Sequence, residues 1–421
     1  MLASNYPSKE AALSGVFNQK CAKAVRVLGH HIDVVAPRPY APRLLAHRVP
    51  RWKFYSSIPF LQRDHDFYIY RPAYVQIPRL GGTFCMDYGA YLLSRNLVRK
   101  LQKKVGFDAI LASDLIGPAL MGWRLGQALG IPSAAWMMGH LPPQVAVRRA
   151  IGRAIVQFDV VFYQNLAILE ETAQEVQRLY GRRLPLERHM VLPHGIPAPP
   201  QLNRELVRAQ LRKKLNIEPD QIAVLNIGRV TREKGIFELI EAVTLATKSN
   251  PNIKCLVVGS IPAIDQTHAI QEHLNRKPEL KKAITLLPAV SPAMVWEYLC
   301  AADIFAFTSH QEGMPNSLLE AMSVGVPVVG FGISPLLEVD PEGAALTMVP
   351  CFDPAHFAKA LVHLAASPLE RKQRGEKGKA IVMERYMVNQ NMAKAMEILF
   401  RITKEPAAIS QNLSSLPLPS A

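Results

Sequence analysis

The sequence predicts an α/β fold made of two doubly wound, Rossmann-like halves. Three observations predict it. Short apolar runs alternate with amphipathic segments along nearly the whole chain, the pattern of parallel strands joined by helices. A Pro-rich break, Pro193-His-Gly-Ile-Pro-Ala-Pro-Pro200, interrupts both periodicities, and the alternation restarts beyond it. Finally, 421 residues are too many for one hydrophobic core, so two domains are expected. Ligands of such sheets gather beyond the C-terminal ends of the strands, which places the expected site in a cleft between the halves.

In the first half, Ala11-Ala-Leu-Ser-Gly-Val-Phe17 puts Gly15 in a loop ahead of a helix over 18–28. Residues 32–36 (Ile-Asp-Val-Val-Ala) read as a buried strand, stopped by Pro37-Arg38-Pro39. Residues 40–80 are rich in Arg, Pro and aromatics, which predicts a long, partly irregular excursion. A helix over 88–105 leads to a strand at 108–112, and a helix over 117–129 to a strand at 132–138. A basic amphipathic segment at 148–155 precedes a strand at 160–163, and a helix over 168–180 a strand at 189–192. The strand that should open this half is short. A trimmed start or a start further upstream would each account for that.

In the second half, helices are expected at 204–215, 237–248, 267–275, 292–300, 354–366 and 369–385. The strands fall at 222–227, 254–258, 284–287, 304–308 and 347–349. A last helix over 389–403 precedes a Ser/Pro/Leu tail from Glu405, expected to be disordered. The expected domains are 1–196 and 197–385, followed by a helix within 386–404 and a tail over 405–421.

Residues 1–200 hold 25 Lys+Arg against 12 Asp+Glu, whereas residues 201–421 hold 24 against 22. That asymmetry points to an anionic partner for the first half, either a membrane leaflet or a pyrophosphate-linked acceptor. No helix-turn-helix, zinc-finger or RNP signature supports nucleic acid. The five cysteines have neither metal nor redox spacing, which fits free thiols in a reducing compartment. The opening residues are too short and polar for a signal peptide. The closest approach to a membrane span, 115–139, is interrupted by Arg124 and Gln127. A cytoplasmic location, peripheral on the inner face of the plasma membrane, is expected.

The chemistry concentrates at residues 309–331, where Glu312 and Glu320 flank a Gly313-Met314-Pro315-Asn316 turn. The turn opens a helix with Leu318, Leu319 and Met322 on its apolar face, and Asn316 is the expected N-cap. Gly325 can end that helix in a left-handed conformation, and a short buried strand follows. A helix N-terminus suits phosphate, and a carboxylate suits paired sugar hydroxyls. A second segment, Asn226-Ile-Gly-Arg-Val-Thr-Arg-Glu-Lys-Gly-Ile236, projects Arg229 and Lys234 from a loop at a strand's C-terminal end. Two such cations, a fork and a point charge, neutralise a diphosphate.

Taken together, Gly-Arg-x₄-Lys-Gly and Glu-Gly-Met-Pro-Asn-Ser-Leu-Leu-Glu-Ala-Met resemble the family-4 retaining glycosyltransferases of GT-B fold. The resemblance extends over nearly the whole chain through Phe107-Asp-Ala-Ile-Leu, Gly130-Ile-Pro, Leu192-Pro-His-Gly-Ile and Ala301-Ala-Asp-Ile-Phe-Ala-Phe-Thr-Ser. Within that family the chain is most similar to bacterial transferases of teichuronic-acid, capsule and exopolysaccharide assembly. The resemblance implies a last helix that crosses back to the N-terminal domain. It implies that Glu320 binds the ribose hydroxyls, that Glu312 sits by the donor sugar, and that Arg229 and Lys234 hold the leaving diphosphate. N–H groups of Met314, Asn316 and Ser317 would touch the sugar or the phosphates, and Gly313 and Pro315 would belong to the same donor-binding turn. Gly15 would approach the diphosphate, and residues 288–290, Val290 among them, would lie near the base. The donor would be a nucleotide-diphosphate sugar, UDP- or GDP-linked, with no cofactor and no metal.

Some positions depart from the family. The loop after the fourth strand reads Met137-Met-Gly-His140-Leu-Pro-Pro, without the family's Asp, and His140 is the candidate for contact with donor or acceptor. The boundary reads Pro193-His194-Gly-Ile-Pro, and His194 is expected to be structural. Glu338 stands where the family has Gly-Gly-x-x-Glu. Asp64-His65-Asp66 matches a metal-binding Asp-x-Asp in letter, but it lies in the Arg-rich excursion and reads as surface charge. The expected activity is retaining, metal-independent transfer of a sugar to a saccharide or lipid-linked saccharide in cell-surface polysaccharide synthesis. The rivals are a GT-B nucleotide-sugar epimerase, which would need further acid/base carboxylates, and a non-catalytic subunit partnering another transferase.

Overall fold

The computed structural model of the chain describes residues 1–12, 14–42, 49–75, 88–115, 120–260, 270, 272 and 283–404. The expected helix at 267–275 and the tail over 405–421 lie outside those residues, apart from isolated positions. The described chain forms two compact units. One is Met1–His194 together with the segment from Val388, and the other is Gly195–Met387.

The strands of the first unit are β1 (Val34–Val35), β2 (Arg38–Pro39), β3 (Leu61–Asp64), β4 (Phe67–Tyr70), β5 (Ala73–Tyr74), β6 (Ile110–Ala112), β7 (Ser133–Met137), β8 (Val160–Tyr163) and β9 (His189–Val191). β6-β7-β8-β9 form one run, all parallel, and β3-β4-β1 another. Leu2 joins the two runs, bridging parallel to both Val35 and Ala112. Its N–H donates to Leu111 O at 2.7 Å, and Ser113 N–H donates to Leu2 O at 2.9 Å. The short opening strand is thus reduced to a single bridging residue.

Successive residues of the central strands point to opposite faces. Ala134, Trp136, Val160 and Phe162 face a core that includes Cys21, Ala22 and Val25 of the helix Val16–Val27 and Met392, Ala395 and Leu399 of the helix Val388–Lys404. Ala135, Met137, Val161 and Tyr163 face Leu101, Leu125, Ile151 and Ile155 on the other side. Burial on both faces explains why β7 and β8 read as continuous apolar runs. The C-terminal helix therefore packs in the unit that begins the chain.

Among its described residues, the excursion over 40–80 is more regular than its composition suggests. It holds a helix, Pro50–Ser57, and the antiparallel hairpin β3–β4, with Asp64 paired to Phe67. β4 in turn runs parallel to β1, with Val34 opposite Ile69. The strand signal is the alternation of Phe67-Tyr-Ile-Tyr, in which Phe67 and Ile69 are buried and Tyr68 is exposed. The hairpin turns on His65 at φ 55°, without the Asn-Gly or Gly that usually marks such a turn.

The second unit has six strands: β10 (Ile222–Ile227), β11 (Ile253–Val258), β12 (Ile284–Leu287), β13 (Ile304–Phe307), β14 (Val328–Phe331) and β15 (Leu346–Val349). All pairs are parallel, in the order β12-β11-β10-β13-β14-β15. The order reverses between β10 and β13, which makes the C-terminal ends of those two strands the topological switch point where a ligand is expected. Residues 334–338, where the sequence suggested no element, lie in a helix, Ser334–Val339, with Pro335 in its first turn and Leu336 and Val339 buried. Among the described residues, no helix is long and apolar enough to cross a membrane.

Candidate functional site

Both motif segments of the second unit leave the sheet at the switch point. Gly228 and Arg229 follow β10, and Thr308 to Glu312 follow β13. The Asn226 side chain ties these strands together beneath them, donating to Ala306 O at 2.9 Å. The loop after β10 then makes a turn at Arg232–Lys234 and ends on Gly235. Gly235 has φ +67°, and a Cβ there would lie 1.9 Å from Thr308 O, so only glycine lets this loop seat against the end of β13. Thr308 Oγ1 donates to Lys234 O at 3.0 Å, and His310 N–H donates to Glu233 O at 3.0 Å.

This seating brings the Lys234 ammonium and the Glu312 carboxylate into an ion pair. Ser309 Oγ also donates to Glu312 Oε1, at 2.9 Å. Both side chains of the pair remain partly open, at 24% for Lys234 and 16% for Glu312, so the pair is reachable from solvent. Arg229 stands exposed on the same loop. Glu320 is half-buried in the helix Asn316–Ser323. Val290, half-buried, packs on the unit's core shortly before the helix Pro292–Ala301, and Met314 packs on the same core.

The helix start differs from expectation at one residue. Asn316 is the first helical residue and not the cap. Pro315 occupies the cap position, and Leu319 N–H donates to Pro315 O at 3.1 Å. Asn316 N–H instead turns back to Met314 O at 3.0 Å. A proline cap has no side-chain acceptor, so the cap residue's own side chain satisfies none of the first-turn N–H groups. Gly325 follows the helix at φ +74°, as a left-handed terminator does.

Sequence reasoning missed His310. Its Nε2 lies 3.3 Å from Glu238 Oε1, and its ring lies 4.4 Å from that of Phe352, which itself adopts φ 60°. The sequence carried only the weak signal of a histidine two residues before Glu312.

In the first unit, Gly15 caps the helix Val16–Val27 at φ +74°, and a Cβ there would lie 2.6 Å from Asn5 Oδ1. Fully buried Asn18 locks this contact by donating to Asn5 O at 2.7 Å, and it accepts from Ser113 Oγ. His140 Nδ1 lies 2.6 Å from Glu171 Oε2, a partner on the helix Leu166–Tyr180 that nothing in the sequence singles out. A carboxylate on Nδ1 fixes the imidazole's tautomer and orientation.

His194 is buried against Cys21, with Nε2 at 2.9 Å from Sγ, and against the Trp136 ring at 4.3 Å. Its backbone N–H donates to Gln164 Oε1 at 2.9 Å. Burial lowers its pKa to about 3, so it is a neutral core residue. The Asp-x-Asp at 64–66 is tied down by its own protein. Asp64 Oδ2 accepts from Tyr6 OH at 2.9 Å and Gln19 Nε2 at 2.7 Å, and Asp66 pairs with Arg26. Asp64 is thus largely buried, where sequence reading had it as surface charge.

Comparison with known proteins adds to this geometry. Residues 207–381 match the family described as glycosyl transferases group 1. The chain is 28% identical over 339 residues to a putative teichuronic acid biosynthesis glycosyltransferase, TuaC, of Bacillus subtilis, covering 78% of this chain and 79% of that one. It is 25% identical over 189 residues to the capsular polysaccharide biosynthesis glycosyltransferase CapM of Staphylococcus aureus, covering 44% and 47%. Among solved structures it is similar to Anabaena Alr3699/HepE in complex with UDP. That likeness has a TM-score of 0.67 and 17% identity, and it covers 95% of this chain and 98% of that one. The same protein has been solved with UDP-glucose.

Proposed function

We propose, from the glycosyl transferases group 1 domain at residues 207–381 and the GT-B fold of the chain, that this protein moves a sugar from a nucleotide-diphosphate sugar to a saccharide or lipid-linked saccharide. The observation that carries the reading is the Lys234–Glu312 pair at the switch point, held by Ser309 and by the Gly235–Thr308 contact. HepE's complexes with UDP and UDP-glucose support a UDP-linked donor, and the names of TuaC and CapM support a product in the cell envelope.

In this reading Arg229 and Lys234 stabilise the charge that grows on the diphosphate as it leaves, without a metal. Glu320 accepts from the ribose hydroxyls, and Glu312 orients Lys234 and meets the donor sugar. The acceptor hydroxyl attacks from the face the diphosphate leaves. Its oxygen bonds to the anomeric carbon while the carbon–phosphate-oxygen bond breaks, and its proton passes to the leaving phosphate. The anomeric configuration is retained, and the protein contributes positioning and fixed charge. His140, oriented by Glu171, contacts donor or acceptor.

The test is turnover of UDP- and GDP-sugars by purified Lys234→Ala and Glu320→Ala. Lys234→Ala is expected to lose donor turnover at least about 100-fold, the cost of one removed transition-state contact, and Glu320→Ala to lose kcat/KM through weaker donor binding, both while keeping the wild-type melt. Near-normal activity in both variants rejects the site.

A further inference from the structure

Beyond the switch-point site, the first unit holds a buried guanidinium with one terminal nitrogen that no group among the described residues completes. Arg71 directly follows β4, Arg38 lies in β2 just past β1, and Ser8 lies in the loop past Leu2 and Ala3. β4 is parallel to β1, and Leu2 bridges parallel to Val35 of β1. All three residues therefore stand beyond the C-terminal ends of adjacent parallel strands, the end where ligands of such sheets bind.

Arg71 is only 3% exposed. Its Nη2 donates to Pro7 O at 3.0 Å and Tyr6 O at 3.4 Å, while the buried Nη1 has no acceptor among the described residues. Ser8, 6% exposed, has a buried hydroxyl that is also without a partner among the described residues. Burial pulls the Arg71 pKa down, and nearby Arg38 pulls it the same way. Glu10 and Tyr6 act against them. Glu10 is exposed, and among the described residues it forms no ion pair with Arg71. A desolvated guanidinium with an open N–H, beside a second guanidinium, is costly unless an anion completes it. The fixed fork of arginine matches a phosphate or a carboxylate.

We propose that Arg71, with Arg38 and Ser8, binds an oxyanion, a phosphate or carboxylate, carried by the acceptor saccharide. That the oxyanion belongs to an acceptor rests on the transferase reading above; the oxyanion site itself does not. The test removes the donor-side cations first. Inorganic phosphate and glucuronate are each titrated calorimetrically into the full chain carrying Arg229→Ala and Lys234→Ala. One equivalent of at least one anion is expected to bind, and adding Arg71→Met or Ser8→Ala is expected to weaken it at least tenfold. If Arg71→Met loses its cooperative melt, Arg38→Gln replaces it with the same expected loss. Binding of phosphate alone marks a phosphorylated acceptor, and binding of glucuronate marks an acidic sugar. Binding of neither, or binding unchanged in the Arg71 and Arg38 variants, overturns the inference. A UDP-glucose titration of the otherwise native chain tests the transferase reading separately, so failure of one is told apart from failure of the other.

Discussion

Replacing Gly235 with alanine should damage both stability and the site, for two reasons that can be separated. The first is conformational. An L-residue at φ +67° costs about 1–2 kcal/mol. The second is steric. The new Cβ would sit 1.9 Å from Thr308 O, a backbone atom that cannot rotate away, and forcing it apart costs about 1–3 kcal/mol. Together they amount to about 2–5 kcal/mol. Gly343 is the control, because it has φ +66° and a Cβ added there would meet nothing within 4 Å, so Gly343→Ala carries the conformational cost alone. Both glycines lie in the Gly195–Met387 unit, where 1 kcal/mol moves the melting temperature by about 2–4 °C. Thermal melts of the two variants should therefore differ by at least about 2 °C, and donor turnover should fall only in Gly235→Ala, because only that loop carries Lys234. Equal melts, or turnover unaffected in Gly235→Ala, would refute the reasoning.

Three further outcomes are expected. His194 titrates at about 3 in the fold against about 6.5 unfolded, so its contribution is intact above pH 6.5 and is lost as pH falls toward 3. At pH 5 that loss is about 2 kcal/mol, and urea midpoints at pH 7.5 and 5.0 should converge in His194→Gln relative to wild type. Asp64→Ala should destabilise the fold by about 1.5–3 kcal/mol through the lost Tyr6 and Gln19 bonds, while EDTA or Mn²⁺ leaves wild-type turnover unchanged, as read by chemical melts and a donor assay. The exposed Arg149 and Arg153 on the helix Val145–Ile155 should support salt-sensitive sedimentation with anionic vesicles. Equal binding to neutral vesicles, or no loss in the double alanine variant, would count against a membrane role.

The legible parts of the chain were those where one physical cause dominated. β10, β11 and β13 are buried on both faces, so their apolar runs could only be strands, and their ends framed the two motif segments. The illegible parts were set by partners distant in sequence. β1 is two residues long because its pairing with Leu2 and Ile69 defines it. Nothing local to His140 points to Glu171, 31 positions on. Asn316 has the composition of a cap, yet Pro315, with its restricted φ, took the position first. Asp64 looked solvated until the fold laid Tyr6 and Gln19 across it.

The hairpin that hid among the arginines also decides how one sheet ends. β3 is the outermost strand of its run, four residues long and antiparallel to β4, with the sequence Leu61-Gln-Arg-Asp64. An edge strand offers unpaired backbone groups to any passing strand, and the usual protections are shortness and charge. β3 has both, so it guards the chain against edge-to-edge association while it is being made and folded. An apolar replacement of Gln62 and Arg63 would turn that border into a template for aggregation.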